Sequence, residues 1–263
     1  MEEQKNELPE ILQNWAAKID ATSEPYIKIT SKTTPIEIRM QSRLGGHPYW
    51  PADQLYPQGS NKLPLYLLAQ INFAEVPAYL PFPEQGILQI FIADDPFYGM
   101  NDQTPQQQKN FRLVYHRETN KEGIVLLENF SFLQSPKNFP MQTDKTYALE
   151  FTLTEAPAPP DHPDFTAELG EDFFGQFGDE KWSILADYRK YAPASGHKMG
   201  GYAHFPQEDL RKNGQAPLLL LQLDSDVKSG LNWGDRGTAH FFIDPVDFFE
   251  EDFSRVFYEW SSY

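Results

Sequence analysis

Four short blocks occur twice along this chain in the same order, and that repetition limits the possible folds more than any other feature. LGGHPYWP (44–51) returns as MGGYAHFP (199–206), pairing Gly45 with Gly200, Gly46 with Gly201, Trp50 with Phe205 and Pro51 with Pro206. LYLLAQIN (65–72) returns as LLLLQLD (218–224), pairing Gln70 with Gln222 and Asn72 with Asp224. GILQIFIAD (86–94) returns as GTAHFFIDP (237–245), and FRLVYH (111–116) returns as SRVFYE (254–259), with Arg112 set against Arg255 and Tyr115 against Tyr258. The spacing between partners changes only in polar stretches, chiefly at the Gln-rich segment 101–110. The pattern reads as an internal duplication, with units at approximately 44–118 and 199–262.

Each unit predicts a Gly-Gly turn, a buried strand ending in an amide or carboxylate, a loop, a second strand, a variable connection and a third strand. The blocks are short, rich in Ile, Leu, Phe and Tyr, and punctuated by Gly and Pro, which favours strands over helices. YIKIT (26–30) and IEIRM (36–40) alternate around Thr33-Thr34-Pro35 and predict a hairpin or adjacent pair; IVLLENFSF (124–132) and TYALEFTLTE (146–155) predict further strands. Helical spacing marks Leu8, Ile11, Leu12, Trp15 and Ile19, then 165–191, and Asp244-Pro245 opens a short helix. APAPPDHP (156–163) cannot supply a ladder and reads as the connection between halves. An open sheet of three to five strands must bury a face, so unit is expected against unit. The expected fold is α+β and predominantly β: internally duplicated, antiparallel-rich sheets packed as one domain over 1–263, with a few short helices.

Composition narrows the function. The chain has 38 acidic against 22 basic residues, a net charge of −16, which repels phosphate backbones and anionic membranes and favours cationic partners. Nucleic acid and membrane are therefore excluded as expected partners. With no cysteine there are no disulfides, thiolate nucleophiles or Cys-ligated metals, in keeping with a reducing compartment. MEEQKNELPE lacks the basic and apolar regions of a secretory leader, and PLLLLQL (217–223) is too short to span a bilayer, so a cytoplasmic protein is expected.

Taken together, SRLGGHPYWP (42–51), LLAQIN (67–72), LPFPEQGILQIF (80–91), GHKMGGYAHFPQ (196–207), LLLLQLDSD (218–226) and NWGDRGTAHFFI (232–243) resemble the YwqG-like family of bacterial proteins. That resemblance covers the chain from about Ser42 onward. It implies a cytoplasmic, β-dominated protein of no established activity. Some members are encoded near toxin systems, which implies an immunity-type binding role without assigning any residue to it.

No nucleophile elbow, P-loop or dinucleotide fingerprint is present. The most polar strand end is Gln222, Asp224, Ser225 and Asp226, followed by Trp233, Gly234, Asp235 and Arg236. Carboxylates there suit a hard divalent cation, and they equally suit ordinary turn hydrogen bonding. The six histidines, His47, His116, His162, His197, His204 and His240, show no zinc spacing and read as hydrogen-bonded or surface residues unless the fold clusters them. Gly200 and Gly201, like Gly45 and Gly46, bring backbone N–H groups toward a ligand or form tight turns at positive φ. Tyr49, Trp50, Phe97, Tyr98, Tyr202 and Trp233 supply either a recognition patch or core filling.

Candidate ligand-binding residues are thus Gly200, Gly201, Gln222, Asp224, Trp233, Asp235, Gln70 and Asn72, with no catalytic set, no metal ligands and no cofactor expected. The leading expectation is a non-enzymatic binding protein, of immunity type, for a basic protein partner. The alternative is a metal-assisted hydrolase in which Gln222, Asp224, Asp226 and Asp235 hold the ion while His197, His204 or His240 moves protons. A third reading makes the Gln70 and Gln222 amides buried satisfiers of loop backbone.

Overall fold

A computed structural model describes residues 7–33, 38–79, 81–119, 122–142, 145–211 and 216–263. Ten strands form one curled antiparallel sheet with a few short helices, so the fold is α+β and predominantly β as expected. In chain order the strands are β1 (Glu24–Lys32), β2 (Arg43–Leu44), β3 (Tyr66–Asn72), β4 (Ile87–Ile92), β5 (Phe111–His116), β6 (Tyr147–Ala156), β7 (Lys198–Gly200), β8 (Leu218–Asp224), β9 (Thr238–Ile243) and β10 (Phe257–Ser261). Their order across the sheet is β10-β9-β8-β7-β1-β6-β2-β3-β4-β5.

That order is symmetric about the central β1–β6 pair. β2 to β5 form one arm and β7 to β10 the other. The registers agree with the symmetry: Leu44 pairs with Tyr147 of β6, and its counterpart Met199 pairs with Ile27 of β1. Thr30 and Glu150, which pair with each other, exchange places. Each arm is therefore extended by the long strand that precedes the other arm in sequence. The β1·β6 ladder, nine residue pairs long, is the hinge line on which both arms are hung.

The expected hairpin after β1 does not form on the described residues. Ile38–Met40 lies in a turn closed by Gln41 N donating to Ile38 O, while Thr34 to Glu37 fall outside the described residues. The partners of β1 are β6 and the short β7, and the long strands β1 and β6 bury Ile27 and Ile29, and Tyr147 and Leu149, respectively. The strand expected over 124–132 is likewise reduced to one bridge, Leu126 with Pro51, because a proline beside it limits the ladder.

β4 and β9 are buried at every position, and β3 and β8 at all but their ends. Both faces of these strands are covered, which is why their sequences read as apolar runs rather than alternations. The concave side holds the main core, including Ile27, Leu68, Ile90, Leu113, Leu220, Phe241 and Tyr258. Each arm carries a β-bulge at the corresponding point, Leu68 in β3 and Leu220 in β8. There the inserted leucine turns inward beside its neighbour, Ala69 or Leu221, and sharpens the curl. The register also corrects the fourth sequence pairing. Tyr115 stands opposite Leu88 and Trp260 opposite Ala239, so Tyr115 corresponds to Trp260 and Leu113 to Tyr258, a two-residue slip that preserves the face.

The curl brings the edge strands β5 and β10 together, with the Phe111 and Tyr258 rings 5.1 Å apart. The Gln-rich segment stitches this seam. Tyr258 N donates to Pro105 O at 3.1 Å, Gln106 Nε2 to Arg255 O at 3.0 Å, and Gln108 Nε2 to Phe253 O, while Gln108 Oε1 accepts from Leu113 N at 2.8 Å. What reads as a variable insertion is the closure of two exposed sheet edges, a hazard that sheets otherwise guard with charge or bulges.

The helices of the N-terminal segment and of the connection between the arms gather in one layer. A 3-10 turn (Glu10–Trp15) leads into α1 (Ala16–Asp20), and the Pro-rich connection delivers α2 (Pro163–Leu169), a 3-10 segment (Phe173–Glu180) and α3 (Lys181–Tyr191). Leu12, Ile19, Phe165, Phe174 and Tyr188 bury against one another and against Tyr202 of the second arm. α4 (Pro245–Phe249) starts where expected, Asp244 Oδ1 accepting from Val246 N at 2.8 Å. Among the described residues no helix is long and apolar enough to cross a membrane.

Gln108→Ala removes one seam donor and orphans the Leu113 amide. It is expected to lower unfolding free energy by about 2 kcal/mol in urea titration, with little change in far-ultraviolet dichroism.

Candidate functional site

The paired glycines turn the chain sharply off β2 and β7. Gly45, Gly46, Gly200 and Gly201 all have positive φ, from +63° to +71° for Gly201, Gly45 and Gly46 and +73° for Gly200. At Gly201 a side chain would also meet Tyr26 Cβ at 2.8 Å. The turn folds a loop back over the convex face of each arm, and there a buried glutamine fastens it. Gln70 Oε1 accepts from Tyr49 N at 2.8 Å, while its Nε2 donates to Arg39 O at 2.8 Å and Gln41 O at 2.9 Å. Gln222 does the same in the second arm: Oε1 accepts from His204 N at 2.8 Å, and Nε2 donates to Ala194 O at 3.0 Å and Gly196 O at 2.9 Å. Both side chains are fully buried. Their amides are satisfied by loop backbone, the arrangement that the structural reading of these two residues expects.

The next position reinforces each clasp. In the first arm Gln89 Nε2 donates to Tyr49 O and to Gln70 Oε1, the latter at 2.8 Å. Its Oε1 is then the acceptor for His116 Nε2 at 3.0 Å, which fixes His116 as the neutral Nε2–H tautomer. Burial agrees, depressing the His116 pKa from 6.5 to about 4. In the second arm His240 replaces Gln89, with Nε2 donating to His204 O at 2.8 Å and Nδ1 facing Glu259 Oε1 at 3.5 Å. A buried cation braces each turn as well. Arg43 and Lys198 reach the corresponding carbonyls, His47 O at 3.4 Å and Tyr202 O at 2.9 Å, and burial lowers the Lys198 pKa to about 8.

The remaining candidates separate. Asn72 Oδ1 accepts from Ala74 N at 3.1 Å and caps a 3-10 turn, while Asp224 Oδ2 accepts from Gly196 N at 2.6 Å. His197 lies between two acids: Nδ1 accepts from Asp224 N at 3.1 Å, and Nε2 faces Asp226 Oδ2 at 3.5 Å. His197, the Lys228 amide and the hydroxyl of Ser31 hold the Asp226 carboxyl well below its ordinary range. Asp235 stands away from these on the exposed turn beside Arg236. Trp233 is not at the surface but fully buried in the concave core against Tyr98 and Trp260. Among the described residues no group of three or more His, Asp or Glu side chains is placed to hold a metal ion. The second-repeat acids are thus spent on turns and on His197.

The two convex faces differ sharply. Over the first arm, residues 122–136 close down on the loop: Ala52 N donates to Val125 O and Leu127 N to Trp50 O, both at 2.8 Å, and Phe130 joins Trp50, Leu67 and Phe91 in an apolar cluster. His47 stacks on Phe130 at 4.4 Å. Tyr49, Trp50 and Pro51 are buried, and about 180 Å³ of space remains beside Gly46, His47 and Leu67. Over the second arm a cleft of about 940 Å³ opens beside the counterparts Gly201, Tyr202 and Leu219. Its walls are Pro159–Pro163 and Arg189 of the helical layer and the loop Tyr202–Gln207; Phe242, Arg211 and Tyr263 complete it. His204, Phe205 and Pro206 are half-exposed. The Arg211 guanidinium lies 3.5 Å over the Phe242 ring and pairs with Asp209 at 2.7 Å, and Arg189 pairs with Asp161 at 2.8 Å. Burial lowers the pKa of both His162 and His204 at this cleft.

Of the candidate ligand-binding residues Gly201 borders the cleft, joined by Tyr202 of the aromatic candidates and His204 of the histidines, while Gly200 and Gln222 act behind it. Arg211, Phe205, Tyr263 and the proline wall were missed. The available signal was the mismatch inside a matched block, where Tyr49 and Trp50 become His204 and Phe205.

Fold and site together define a curled antiparallel-sheet protein whose convex faces are roofed by clasped loops, one shut and one open. The family model described as Domain of unknown function (DUF1963) matches residues 42–261, and the chain belongs to that family. A comparison with curated proteins finds no match.

Gln222→Leu orphans one buried N–H and two carbonyls and is expected to destabilise by about 3 kcal/mol or more, measured by chemical denaturation. For His116 the folded pKa lies below the unfolded value, so the unfolded state binds more protons between pH 6.5 and 4. Stability held above pH 6.5 is lost as pH falls, by about 3 kcal/mol at pH 4 from this group. His116→Gln, which keeps a donor toward Gln89, is expected to reduce proton uptake on unfolding at pH 5 by nearly one, read from the pH dependence of unfolding free energy.

Proposed function

We propose that the chain is a non-enzymatic binding protein of the YwqG-like kind, and that the cleft over the second arm receives a basic protein partner. One observation carries this reading: among the described residues, the convex face closed by the chain's own residues 122–136 in the first arm has a cleft of about 940 Å³ in the second. The half-exposed Phe205 ring, lying above buried Leu219 and Phe242 and flanked by the Arg211–Asp209 and Arg189–Asp161 pairs, gives the apolar centre and polar rim of a recognition site. The net charge of −16 steers cationic partners toward it. An immunity-type role, neutralising a basic protein by occupying its surface, fits this chemistry. The hydrolase alternative has less behind it, since Asp224 and Asp226 are committed to Gly196, His197, Ser31 and local backbone.

Calorimetric titration with a panel of small basic proteins tests the reading. At least one is expected to bind at low salt, weaken on raising salt, and lose tenfold or more affinity to Phe205→Asp. Binding indifferent to Phe205→Asp, or turnover of a hydrolysable substrate that depends on Asp224, contradicts it.

A further inference from the structure

We infer that the partner enters this cleft as an extended peptide segment that adds a short strand beside Phe205–Gln207, with an apolar side chain seated against the half-exposed Phe205 ring, next to the Arg211 guanidinium that covers Phe242. The inference rests on the binding reading above and specifies the class of ligand. Its template is inside the molecule. In the first arm the backbone at Trp50–Ala52 is paired antiparallel by residues 125–127, with hydrogen bonds at Trp50 O and Ala52 N flanking Pro51. Proline lacks an N–H, but this pairing asks nothing of it, because both bonds fall on its neighbours.

Phe205, Pro206 and Gln207 stand at the corresponding positions of the second arm, again with proline in the middle. Their loop is held at the same height above the sheet by the same clasp, Gln222 on His204 N in place of Gln70 on Tyr49 N. Among the described residues, Phe205 O and Gln207 N have no backbone partner. The side-chain floor matches in identity: Leu67, Trp50 and Phe91, which seat Leu127 and Phe130, become Leu219, Phe205 and Phe242, of which Phe205 is half-exposed while Leu219 and Phe242 are buried, Phe242 beneath the Arg211 guanidinium. The face thus offers what strand addition requires, one donor and one acceptor at fixed spacing and an apolar pocket for an alternate side chain. Basic residues flanking the segment answer the overall net charge of −16. The first arm does not compete for a free peptide, since its own segment is tethered and present at high effective concentration.

The probe is a synthetic peptide of residues 123–133 with Glu128 replaced by Lys and a two-lysine tail, titrated into the full chain by calorimetry and two-dimensional NMR. Expected are saturable binding, slowed hydrogen exchange at the Gln207 amide in the wild-type protein, a tenfold or greater loss with Gln207→Pro, and retention with Gln207→Ala, which keeps the N–H. The exchange readout needs no variant and stands even if Gln207→Pro fails to fold. Peptide binding with no protection at Gln207 and no loss in a folded Gln207→Pro overturns strand addition while leaving the cleft as the binding site. Absence of peptide binding, alongside a basic protein whose binding depends on Phe205, also overturns strand addition alone. Absence of both overturns this inference together with the binding reading.

Discussion

Everything distinctive about this molecule hangs from one interaction used twice, a fully buried glutamine amide that clasps a loop to the back of a sheet. Gln70 and Gln222 each accept one loop N–H and donate to two loop carbonyls. Each bond is worth only about 1 kcal/mol net, but leaving the buried groups unmade costs about 1–3 kcal/mol apiece, so the clasp behaves as a unit. It converts two Gly-Gly turns into rigid roofs over convex faces that would otherwise expose apolar strands. The palindromic strand order then presents those two roofs on opposite sides of a central ladder.

Given equal clasps, the arms diverge through what is laid on top. The first is finished as core, with Phe130 and Leu127 filling the space over Phe91. In the second, Arg211 takes the place over Phe242, and a guanidinium that stacks on a ring while pairing with Asp209 tolerates water where an aromatic side chain would not. The same architecture thus yields one stabilising face and one receptive face. Substitutions within the matched blocks follow this division: His204 for Tyr49 and His240 for Gln89 keep the backbone hydrogen bonds and change the chemistry around them.

The strands of the repeated blocks and the helices at 8–19, 165–191 and 245–249 were legible because hydrophobic runs, caps and Gly-Gly punctuation are local signals, whereas the order of the strands was not. Gln70 and Gln222 stood out for their repetition, and the structural interpretation of their amides was available from chemistry alone, since a buried amide must find partners. What could not be read was non-local. The exchange of β1 and β6 between arms depends on which edges meet, the Gln-rich segment acts only once β5 and β10 curl together, and the cleft differs from its twin in having, among the described residues, no counterpart of the cover at 122–136. Trp233 and Asp235 lie near each other in sequence, but the first is buried in the core and the second exposed on the adjoining turn, so spacing suggested a cluster that the fold takes apart.

The measurement that bears most directly on this account is residue-resolved hydrogen exchange on the protein alone, comparing the two roof loops. The account predicts that the amides of His204 and Tyr49, held by the paired glutamines, exchange at similarly slow rates, while Ala52 is protected and Gln207 exchanges orders of magnitude faster. Equal protection at Ala52 and Gln207 would mean that the second face is already covered, and the distinction between a closed and an open arm would be lost.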